Sequence, residues 1–301
     1  MYSLDQILGC SDRMKKVRDL IHRVADLPSH VLITGERGTG KELVAKVLHN
    51  ISARRTASFV PVVCSTMSEA DWEGGLFKEA HKGTLFFDEV GELPVLLQTK
   101  LVHTIEDMKV HRAGATKSPF VDVRLVAATT LNLEHEVKAK RFRGDLYYRL
   151  KVVEVDLPPL HDRRKDIPIL AEAFLNRYSQ EYLKPLRGIS EAALLVLMHY
   201  SWPGNVRELE SVIERAVTLS HAREILPGDL PATVQQIGSS TQTRSNRVER
   251  AKTLKQVEEE YIRLILDETG CNYSQAARML GIDRRTLYRR LAEMENEGLS
   301  E

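Results

Sequence analysis

The stretch VLITGERGTGKE, at residues 31–42, contains the pattern that decides the fold class. Its apolar start predicts a buried strand, its glycine-rich middle predicts a turn, and KELVAKVLHNIS at 41–52 predicts an amphipathic helix. In such a turn, glycines let backbone N–H groups face phosphate oxygens, Lys41 offsets the phosphate charge, and the helix N-terminus adds its dipole. The predicted phosphate-binding residues are Gly35, Glu36, Arg37, Gly38, Thr39, Gly40, Lys41 and Glu42.

An ordinary glycine-rich turn is the alternative interpretation of these residues. The general phosphate-loop pattern has Ser or Thr after the lysine as a magnesium ligand, whereas Glu42 stands there in this chain. The strand–loop–helix context favours a phosphate site all the same, and a second motif further along the chain supports it.

The second motif is LFFDEV, residues 85–90, an apolar strand that ends in two acids. Asp88 is predicted to hold Mg²⁺ through water molecules, and Glu89 to orient and polarise an attacking water. Acids after an apolar run are often only a strand end that enters solvent. With a phosphate loop upstream, they indicate a Walker B element instead.

Apolar segments alternate with helical patterns through the first 185 residues, which predicts an α/β domain with a mostly parallel sheet. The predicted strands are SHVLITGE (29–36), GTLFFDEV (83–90), FVDVRLVAATT (120–130) and VVEVDL (152–157). From residue 189 the patterns are helical, and Asn205 with Glu208 has the spacing of a capping box. Polar residues without periodicity at 232–248 predict a linker.

Composition restricts the partners and the compartment. The 43 Lys and Arg nearly balance the 42 Asp and Glu, so a nucleic-acid surface would have to be local. Cys10, Cys64 and Cys271 are far apart without metal-binding spacing, which is typical of reduced thiols. No apolar run is long enough to span a bilayer, and the N-terminus lacks the pattern of a signal peptide. These features predict a cytoplasmic protein with no membrane partner.

The last part of the chain predicts a helix-turn-helix. LKQVEEEYIRLILDET at 254–269 is a predicted helix with its apolar face at Leu254, Val257, Tyr261, Leu264 and Ile265. Asn272, with Gln275 in capping-box spacing, is predicted to begin a second helix, and Asp283 to cap a third. The predicted core consists of Ala276, Ala277, Leu280, Ile282, Leu287 and Leu291.

The third of these helices carries the local basic surface that the net charge conceals. Four arginines between residues 283 and 290 stand against one acid, which suits a helix in the major groove of double-stranded DNA. A solvated basic helix is the alternative for RRTLYRRL taken alone. Base contacts are expected nearest the helix N-terminus, at Arg284, Arg285 and Thr286. The predicted DNA-binding residues are Ser274, Arg284, Arg285, Thr286, Tyr288, Arg289 and Arg290.

Five segments in order along the chain resemble the AAA+ domain of bacterial enhancer-binding proteins, the sigma-54-dependent activators of the NtrC type. They are GERGTGKE, GTLFFDEVGELP, FRGDLYYRL, LPPL and WPGNVREL. CNYSQAARMLGIDRRTLYRRL is similar to the Fis-type DNA-binding domain of the same family. The resemblance implies a P-loop parallel sheet at 1–185, a helical lid at 186–231, a linker at 232–251 and an all-α helix-turn-helix domain at 252–301.

The resemblance also implies roles for single residues. Ile7, Leu8 and Gly9 match the segment beside the adenine, and Arg207 matches the sensor II arginine of the lid. Arg143 and Arg149 match paired arginine fingers, which act across a subunit boundary. The family also has Glu after the loop lysine, as Glu42 is here. ATP and Mg²⁺ are the implied cofactors. The implied partners are double-stranded DNA, RNA polymerase with the sigma factor left open, and further copies of the chain in an AAA+ ring and a helix-turn-helix dimer.

Three departures from the family pattern bear on function. The family's sigma-54-contact loop, with the sequence Gly-Ala-Phe-Thr-Gly-Ala, does not occur, because GGLF continues directly into KEAHKGTLF. Val63 stands where the family usually has Asn in FVPVNC, and a valine side chain forms no hydrogen bonds. Thr130 stands at the sensor I position, where the family commonly has Asn.

Two classes of function therefore remain open. In one, the chain is a DNA-binding regulator that does not remodel sigma-54 polymerase and whose ATP site controls oligomerisation. In the other, it is an AAA+ motor that hydrolyses ATP to remodel a polymerase or another protein. The absent loop, Val63 and Thr130 favour the first, whereas Lys41, Asp88, Glu89 and the two arginines favour hydrolysis.

Overall fold

The computed structural model describes residues 2–73, 75–112, 122–220, 222–235, 261–262, 265–266, 269 and 273–297. The chain forms two compact units, residues 1–238 and 239–301.

A five-stranded parallel sheet forms the centre of the first unit. Its strands are β1 (Val31–Thr34), β2 (Phe59–Val63), β3 (Thr84–Asp88), β4 (Arg124–Thr129) and β5 (Val153–Asp156). The strand order is β2-β3-β4-β1-β5, and each neighbouring pair is parallel. The four predicted strands are therefore confirmed, and β2 is a strand that the sequence patterns did not predict. A separate parallel pair joins β6 (Gly188–Ile189) to β7 (Glu224–Ile225).

The helices of the first unit follow the predicted alternation with strands and then continue as a helical group. They are α1 (Asp12–Val24), α2 (Lys41–Asn50), α3 (Glu69–Glu73), α4 (Leu76–Glu79), α5 (Val95–Arg112), α6 (Leu133–Lys138), α7 (Gly144–Leu150), α8 (Ile167–Glu181), α9 (Glu191–His199) and α10 (Asn205–Leu219). Short 3₁₀ helices occupy Leu4–Gln6, Cys64–Thr66, Val90–Glu92, Leu160–Asp166 and Pro227–Asp229.

The sheet is buried on both faces because successive side chains of a strand point to opposite sides. In β3, Leu85 and Phe87 pack in a cluster with α5 and α7, whereas Phe86 packs in another with α1 and α2. The other central strands divide in the same way, which explains why the sequence shows continuous apolar runs rather than alternation.

A third apolar cluster holds α8, α9 and α10 together. Trp202 is fully buried in it, and its indole N–H donates to the Leu197 carbonyl oxygen at 2.8 Å. Helix α8 lies within the predicted α/β domain of residues 1–185, although its apolar side chains pack with the two helices of the predicted lid. The predicted domain boundaries stay predictions.

The connection between α4 and β3 is a tight turn at residues 80–83. The Gly83 N–H donates to the Ala80 carbonyl oxygen at 2.8 Å, and Lys82 has a positive φ of 61°. A Cβ at Gly83 would lie 2.1 Å from the carbonyl oxygen of Ser58, the residue before β2, so only glycine fits there. Four residues thus join the helix to the strand that carries Asp88.

The second unit contains the predicted helix-turn-helix. Its helices are α11 (Tyr273–Met279) and α12 (Arg284–Glu297). Ala276, Ala277 and Leu287 are buried, with Leu280, Ile282 and Leu291 packed against them, as predicted. Asp283 caps α12 as predicted, because its carboxylate accepts the backbone N–H groups of Arg285 and Thr286 at 2.9 and 3.0 Å. The predicted capping by Asn272 lies outside the described residues.

One apolar face of the second unit was predicted only in part. Ile265 is buried against the helix-turn-helix core as predicted, whereas Tyr261 is 55% exposed. Ile262 and Leu266, which were not predicted, are buried there as well. Leu254, Val257 and Leu264 lie outside the described residues. Within the part of the chain that the structure describes, no helix is both long and apolar enough to cross a membrane.

Candidate functional site

The carboxyl ends of the central strands meet at one edge of the sheet, where parallel α/β folds place their ligand sites. The glycine-rich loop follows β1, Asp88 ends β3, and Thr130 follows β4. A cavity of about 880 Å³ opens between this edge and the helices α8 and α10. Predicted site residues that line it are Leu8, Arg37, Gly38, Gly40, Lys41, Glu42, Asp88, Glu89, Thr130 and Arg207.

Lys41 lies at the base of this cavity with only 7% of its side chain exposed. Its ammonium donates to the carbonyl oxygens of Gly35 and Glu36 at 2.9 and 3.2 Å, and it forms an ion pair with Glu89 at 3.2 Å. A buried cation held by the loop's own carbonyls is positioned for an anionic group of a ligand. The adjacent Thr39 is also buried, and its hydroxyl donates to the Glu36 carbonyl oxygen at 2.8 Å.

Glu89 is held at both carboxylate oxygens. One oxygen pairs with Lys41, and the other accepts the backbone N–H and the hydroxyl of Thr130 at 2.7 and 2.9 Å. Its backbone has a φ of 55°, in the left-handed region that non-glycine residues rarely adopt. Thr130 therefore directly positions the predicted water-activating carboxylate.

Asp88 lies in a negative part of the cavity. Burial raises the pKa of this carboxyl above its ordinary value, and the nearby charges of Glu89 and Glu42 raise the pKa further. Lys41 acts in the opposite direction. Among the described residues, no group of three or more His, Cys, Asp and Glu side chains is arranged to hold a metal ion. A cation here would therefore need ligands from water or from a bound phosphate besides Asp88.

Glu42 lies in the first turn of α2 and lines the cavity from its rim. It pairs with Lys46, one helical turn later, at 2.7 Å. The hydrogen bond to Glu42 raises the pKa of Lys46. The carboxylate that replaces the usual Ser or Thr is thus partly neutralised within its own helix.

Val63 ends β2 beside Asp88, to which it is paired in the sheet register. Its side chain is 53% exposed and lines the cavity. The position where the family usually has Asn therefore presents a methyl surface to the site, and Glu89 bonds instead to Thr130, which follows the neighbouring strand β4.

The opposite wall of the cavity was largely missed from the sequence. Leu170, Phe174 and Arg177 lie at helical spacing on α8, and Val206 and Glu210 face them from α10. Arg177 pairs with Glu210 at 2.9 Å at the rim. The apolar members of this wall, together with Leu8, form a surface suited to the flat face of a base. Helical periodicity could have indicated a face of α8, but not which ligand it meets. The remaining lining residues missed from the sequence are Tyr2, Asp5, Gln6, Leu43, Ser65, Glu92 and Ala173.

Of the predicted segment beside the adenine, Leu8 lines the cavity while Ile7 and Gly9 support it. Ile7 is buried against the sheet, and the carbonyl oxygens of Ile7 and Gly9 accept hydrogen bonds from Arg18 at 3.1 and 2.6 Å. A Cβ at Gly9 would lie 2.8 Å from the buried Asp166 carboxylate. Gly35 and Glu36 line a smaller neighbouring cavity of about 360 Å³.

Arg143 and Arg149 do not line either cavity within the described residues. Arg143 pairs with Asp145 at 2.7 Å, and Arg149 forms an ion pair with Glu106 on α5. Their separation from the cavity of the same chain agrees with a role across a subunit boundary, which stays a prediction.

Gln98, a residue absent from the sequence predictions, connects this arginine region to the loop after Asp88. It is buried on α5, and its amide donates to the carbonyl oxygens of Leu93 and Arg141 at 2.8 and 3.1 Å. Its side-chain oxygen accepts the Arg143 N–H at 2.9 Å. The backbone that carries Arg143 is therefore tied to the segment that follows β3.

Asn205 is not the helix cap that its spacing with Glu208 predicted. Gly204 occupies the cap position, and the Glu208 carboxylate accepts the Gly204 N–H at 2.8 Å. The Asn205 side chain points instead to the glycine-rich loop, where its amide donates to Glu36 and to the Arg37 carbonyl oxygen. The cap prediction was wrong because the Asn205 side chain forms its hydrogen bonds with residues far away in the sequence.

In the second unit, the predicted DNA-contacting arginines lie on an exposed face of α12. Arg284, Arg285 and Arg289 are exposed, and Arg284 lies over the ring of Tyr288 at 5.6 Å from its centre. The Thr286 hydroxyl donates to Asp283 at 2.8 Å and so takes part in the helix cap. Arg290 is half-buried. The side chain of Ser274 lies outside the described residues.

Comparisons with known proteins agree with this geometry. A family model for the sigma-54 interaction domain matches residues 7–74 and 66–156, one for the AAA+ ATPase lid domain matches 161–247, and one for bacterial regulatory proteins of the Fis family matches 253–294. The transcriptional regulatory protein ZraR of Klebsiella oxytoca is 41% identical over 304 residues, which cover 95% of this chain and 68% of ZraR.

The chain belongs to the family of sigma-54-dependent transcription regulators.

Other members of this family and more distant AAA+ proteins share the fold. The regulatory protein AtoC of Escherichia coli is 38% identical over 309 residues, covering 95% of this chain and 67% of AtoC. Crystal structures of NtrX from Brucella abortus in complex with ADP and with ATP match with a TM-score of 0.67 and 35% identity, over 95% of this chain and 68% of NtrX. The RuvB branch migration motor of Thermotoga maritima matches at 18% identity with a TM-score of 0.55, over 96% of this chain and 87% of RuvB, which shows the AAA+ fold alone.

Proposed function

We propose that this sigma-54-dependent regulator binds ATP with Mg²⁺ at the sheet edge and double-stranded DNA through α12, and that the nucleotide controls its assembly. The observation that carries the proposal is the single cavity in which Lys41, Asp88, Glu89 and Arg207 meet. Lys41 and Arg207 supply positive charge for phosphates, and the apolar wall of α8 and α10 supplies a surface for the base. The complexes of NtrX with ADP and with ATP support an adenine nucleotide as the ligand of this chain.

Magnesium would be held by Asp88, water and the nucleotide phosphates. Burial raises the pKa of Asp88, and the neighbouring carboxylates Glu89 and Glu42 raise the pKa further. A divalent cation would relieve the repulsion between these carboxylates. When bound, the ion would neutralise phosphate charge. Glu42 can add to the negative potential from the rim, although its ion pair with Lys46 reduces this contribution.

The direct continuation of GGLF into KEAHKGTLF distinguishes the proposed function from sigma-54 remodelling by the family's usual contact loop. The junction of the two stretches, between Phe77 and Lys78, lies inside α4, and the loop sequence Gly-Ala-Phe-Thr-Gly-Ala does not occur. We therefore propose that nucleotide binding favours a ring of further copies of this chain, in which Arg143 and Arg149 approach the phosphates of a neighbour. The chain would then regulate transcription by binding DNA as a dimer and not by remodelling sigma-54 polymerase. RNA polymerase that contains another sigma factor is a candidate partner.

A motor that hydrolyses ATP is the second candidate, and one observation favours it. The Glu89 carboxylate keeps two hydrogen bonds to Thr130, so a positioned base is present despite Val63. Work on a protein partner would then proceed through a surface other than the usual contact loop.

ATP turnover measured against protein concentration separates the two candidates. If the nucleotide acts as a ligand, turnover should be slow at every concentration, while ATP shifts the oligomer distribution in sedimentation velocity. Turnover that rises cooperatively with concentration and disappears in Glu89→Ala would instead identify a motor. A chain that neither binds nucleotide nor changes its assembly would contradict both candidates.

The DNA part of the proposal has its own test. Arg285→Ala should weaken binding to a selected operator by about tenfold, because arginine contacts at the N-terminus of a recognition helix each contribute about 1–3 kcal/mol. Arg278→Ala, on the first helix of the motif, is the matched control. Equal effects of the two substitutions would indicate a general electrostatic surface rather than a recognition helix.

A further inference from the structure

The glycine-rich loop is held from its outer side by residues of the lid and of the segment that leads to it. Three consecutive loop carbonyl oxygens accept hydrogen bonds there. The Arg37 oxygen accepts from the Asn205 side chain at 3.0 Å, the Gly38 oxygen from the Arg207 N–H at 3.2 Å, and the Thr39 oxygen from Arg163 at 3.2 Å. Every one of these donors lies more than 120 residues further along the chain.

Fixing a carbonyl also fixes the amide that follows it. In a planar trans peptide, the N–H of the next residue points opposite to the carbonyl oxygen. The three bonds thus set the directions of the Gly38, Thr39 and Gly40 amides. Gly38 and Gly40 line the cavity, and the Thr39 N–H makes a long bond of 3.4 Å to the Glu36 carbonyl oxygen. Since phosphate is recognised largely through such amides, their directions affect affinity.

Of the three donor residues, Asn205 forms the most hydrogen bonds in this region. Its side-chain amide also donates to the Glu36 carboxylate at 2.9 Å, and its oxygen accepts the Leu160 N–H at 2.7 Å. The residue is fully buried and has a φ of 54°, a backbone conformation that Asn tolerates better than most residues. One side chain thus joins the loop, the segment at 160–166 and the first residue of α10.

Close packing accompanies these bonds. A Cβ at Gly38 would lie 2.2 Å from the Gly204 carbonyl oxygen, so the loop backbone is pressed directly against the residue before α10. Arg163 is buried beside the same loop, and desolvation lowers the pKa of its guanidinium. The lid therefore contacts the loop through its backbone and buried polar groups, independently of the side chain of Arg207.

We propose that Asn205 is a positioning residue that latches the lid to the outer side of the phosphate loop and sets the loop's affinity for nucleotide phosphates. The inference deepens the proposed nucleotide site and rests on it. By linkage, any group that fixes the loop amides strengthens phosphate binding, and bound phosphate in turn stabilises the docked lid.

Two substitutions at one position separate the contacts of Asn205. Asn205→Asp keeps the oxygen that accepts from Leu160 but removes the donor to Arg37 and places a carboxylate against Glu36. Asn205→Gly removes all three contacts and tolerates the positive φ. In isothermal titration with ADP and Mg²⁺, we expect Asn205→Asp to weaken binding about tenfold or more and Asn205→Gly about fivefold. The whole chain of residues 1–301 is used throughout.

A lid substitution away from the loop provides the matched control. The Ser190 hydroxyl caps α9 by accepting the Ala193 N–H at 3.3 Å and does not touch the loop. Ser190→Ala should lower the melting temperature of the protein without changing ADP affinity. If Ser190→Ala weakens ADP binding as much as Asn205→Gly does, general lid stability explains the effect and the latch is wrong.

A double-mutant cycle tests the contact itself. Glu36→Gln added to Asn205→Asp removes the opposed carboxylates and should restore several-fold of the lost ADP affinity, whereas the two effects would simply add if the residues were uncoupled. Additive effects, or Asn205→Asp binding ADP within twofold of the wild type, would overturn the proposal.

Hydrogen exchange without nucleotide distinguishes this inference from the proposed function. The Leu160 amide should be protected in the wild type and in Asn205→Asp, and should lose protection in Asn205→Gly. If the three proteins show this pattern but the wild type binds no adenine nucleotide, the proposed function fails, while the contact of Asn205 between lid and loop stands. If protection at Leu160 is the same in all three proteins, the latch fails whatever the chain binds.

Discussion

The sheet side and the lid side of the nucleotide cavity are built in different ways. On the sheet side, Lys41, Asp88 and Glu89 lie in two short contiguous motifs at the ends of β1 and β3. On the lid side, Leu170, Phe174 and Val206 come from two helices and are held by apolar packing. Phosphate recognition needs particular backbone shapes and charges, whereas a base can be covered by many combinations of apolar residues. The difference predicts that the two sides contribute to different parts of a ligand.

The largest effect is expected on the sheet side. Lys41→Ala should weaken ADP binding about a hundredfold, because the buried ammonium is held beside Glu89 and faces the cavity. Isothermal titration measures the change, and Lys46→Ala, which removes a lysine paired with Glu42 at the rim, is the control. If both variants lost a comparable amount of ADP affinity, the positive charge near the cavity would matter more than the position of Lys41. The proposed difference between the sheet side and the lid side would then be wrong.

A tenfold effect is expected on the lid side, and it should depend on the base. Phe174→Ala should weaken ADP binding about tenfold, because stacking on an aromatic ring contributes roughly 1–3 kcal/mol. Inorganic triphosphate, which has no base, should bind equally well before and after the substitution. Ile169→Ala, an exposed position on the same helix, serves as the control. A matching loss for triphosphate would mean that Phe174 supports the phosphate region instead.

A smaller effect is expected at the rim of the lid side. Arg177→Ala removes an exposed ion pair with Glu210, and exposed pairs contribute about 0–1 kcal/mol. ADP affinity should change by less than about threefold in fluorescence titration at 0.15 M salt. A loss above tenfold would place Arg177 in direct contact with the nucleotide.

Mild acid is expected to change nucleotide affinity least. Its main effect should be on the stability of the folded protein. His49 is buried on α2 and bonds to Thr84 of β3 at 2.9 Å. Desolvation lowers the pKa of this imidazole below its ordinary value of 6.5, and the charge of Arg124 lowers the pKa further. The unfolded chain therefore takes up the proton first as pH falls through 6.5, so the free energy of unfolding should decrease between pH 7 and pH 5.

Denaturant unfolding at several pH values tests this expectation. In His49→Gln, the stability of the protein should depend less on pH over the same interval, whereas His103→Gln, on the exposed side of α5, should leave the dependence unchanged. An identical pH dependence in the wild type and His49→Gln would assign the acid sensitivity to another group.

The contrast between the two sides also marks what the sequence could reveal. The strands β1, β3, β4 and β5 were predicted because they are apolar runs bounded by turns or motifs. Strand β2 was missed because FVPVV is short, contains proline and is half exposed. It lies at the sheet edge, where proline is tolerated.

Within the site, contiguous motifs were predictable and long-range contacts were not. The glycine-rich loop, Asp88 and Glu89 lie at the strand ends that their motifs predicted, and their chemical roles stay predictions. The lid wall at Leu170 and Phe174 was missed. Asn205 shows the reason. Its spacing with Glu208 predicted a cap, but its side chain bonds to residues 45, 168 and 169 positions away. No local pattern contains that information. The roles of Arg143 and Arg149 stay predictions, since they concern a neighbouring chain.

The turn at 80–83 has a consequence for how this fold can vary. Closing a flexible loop costs free energy that grows only with the logarithm of its length, roughly 0.6 kcal/mol for each doubling. Lengthening the connection from four residues to sixteen would therefore cost about 1.2 kcal/mol, small against the stability of a domain. The chain entropy of this connection thus places little restriction on its length, and a grafted longer loop should leave β3 and its acids in place.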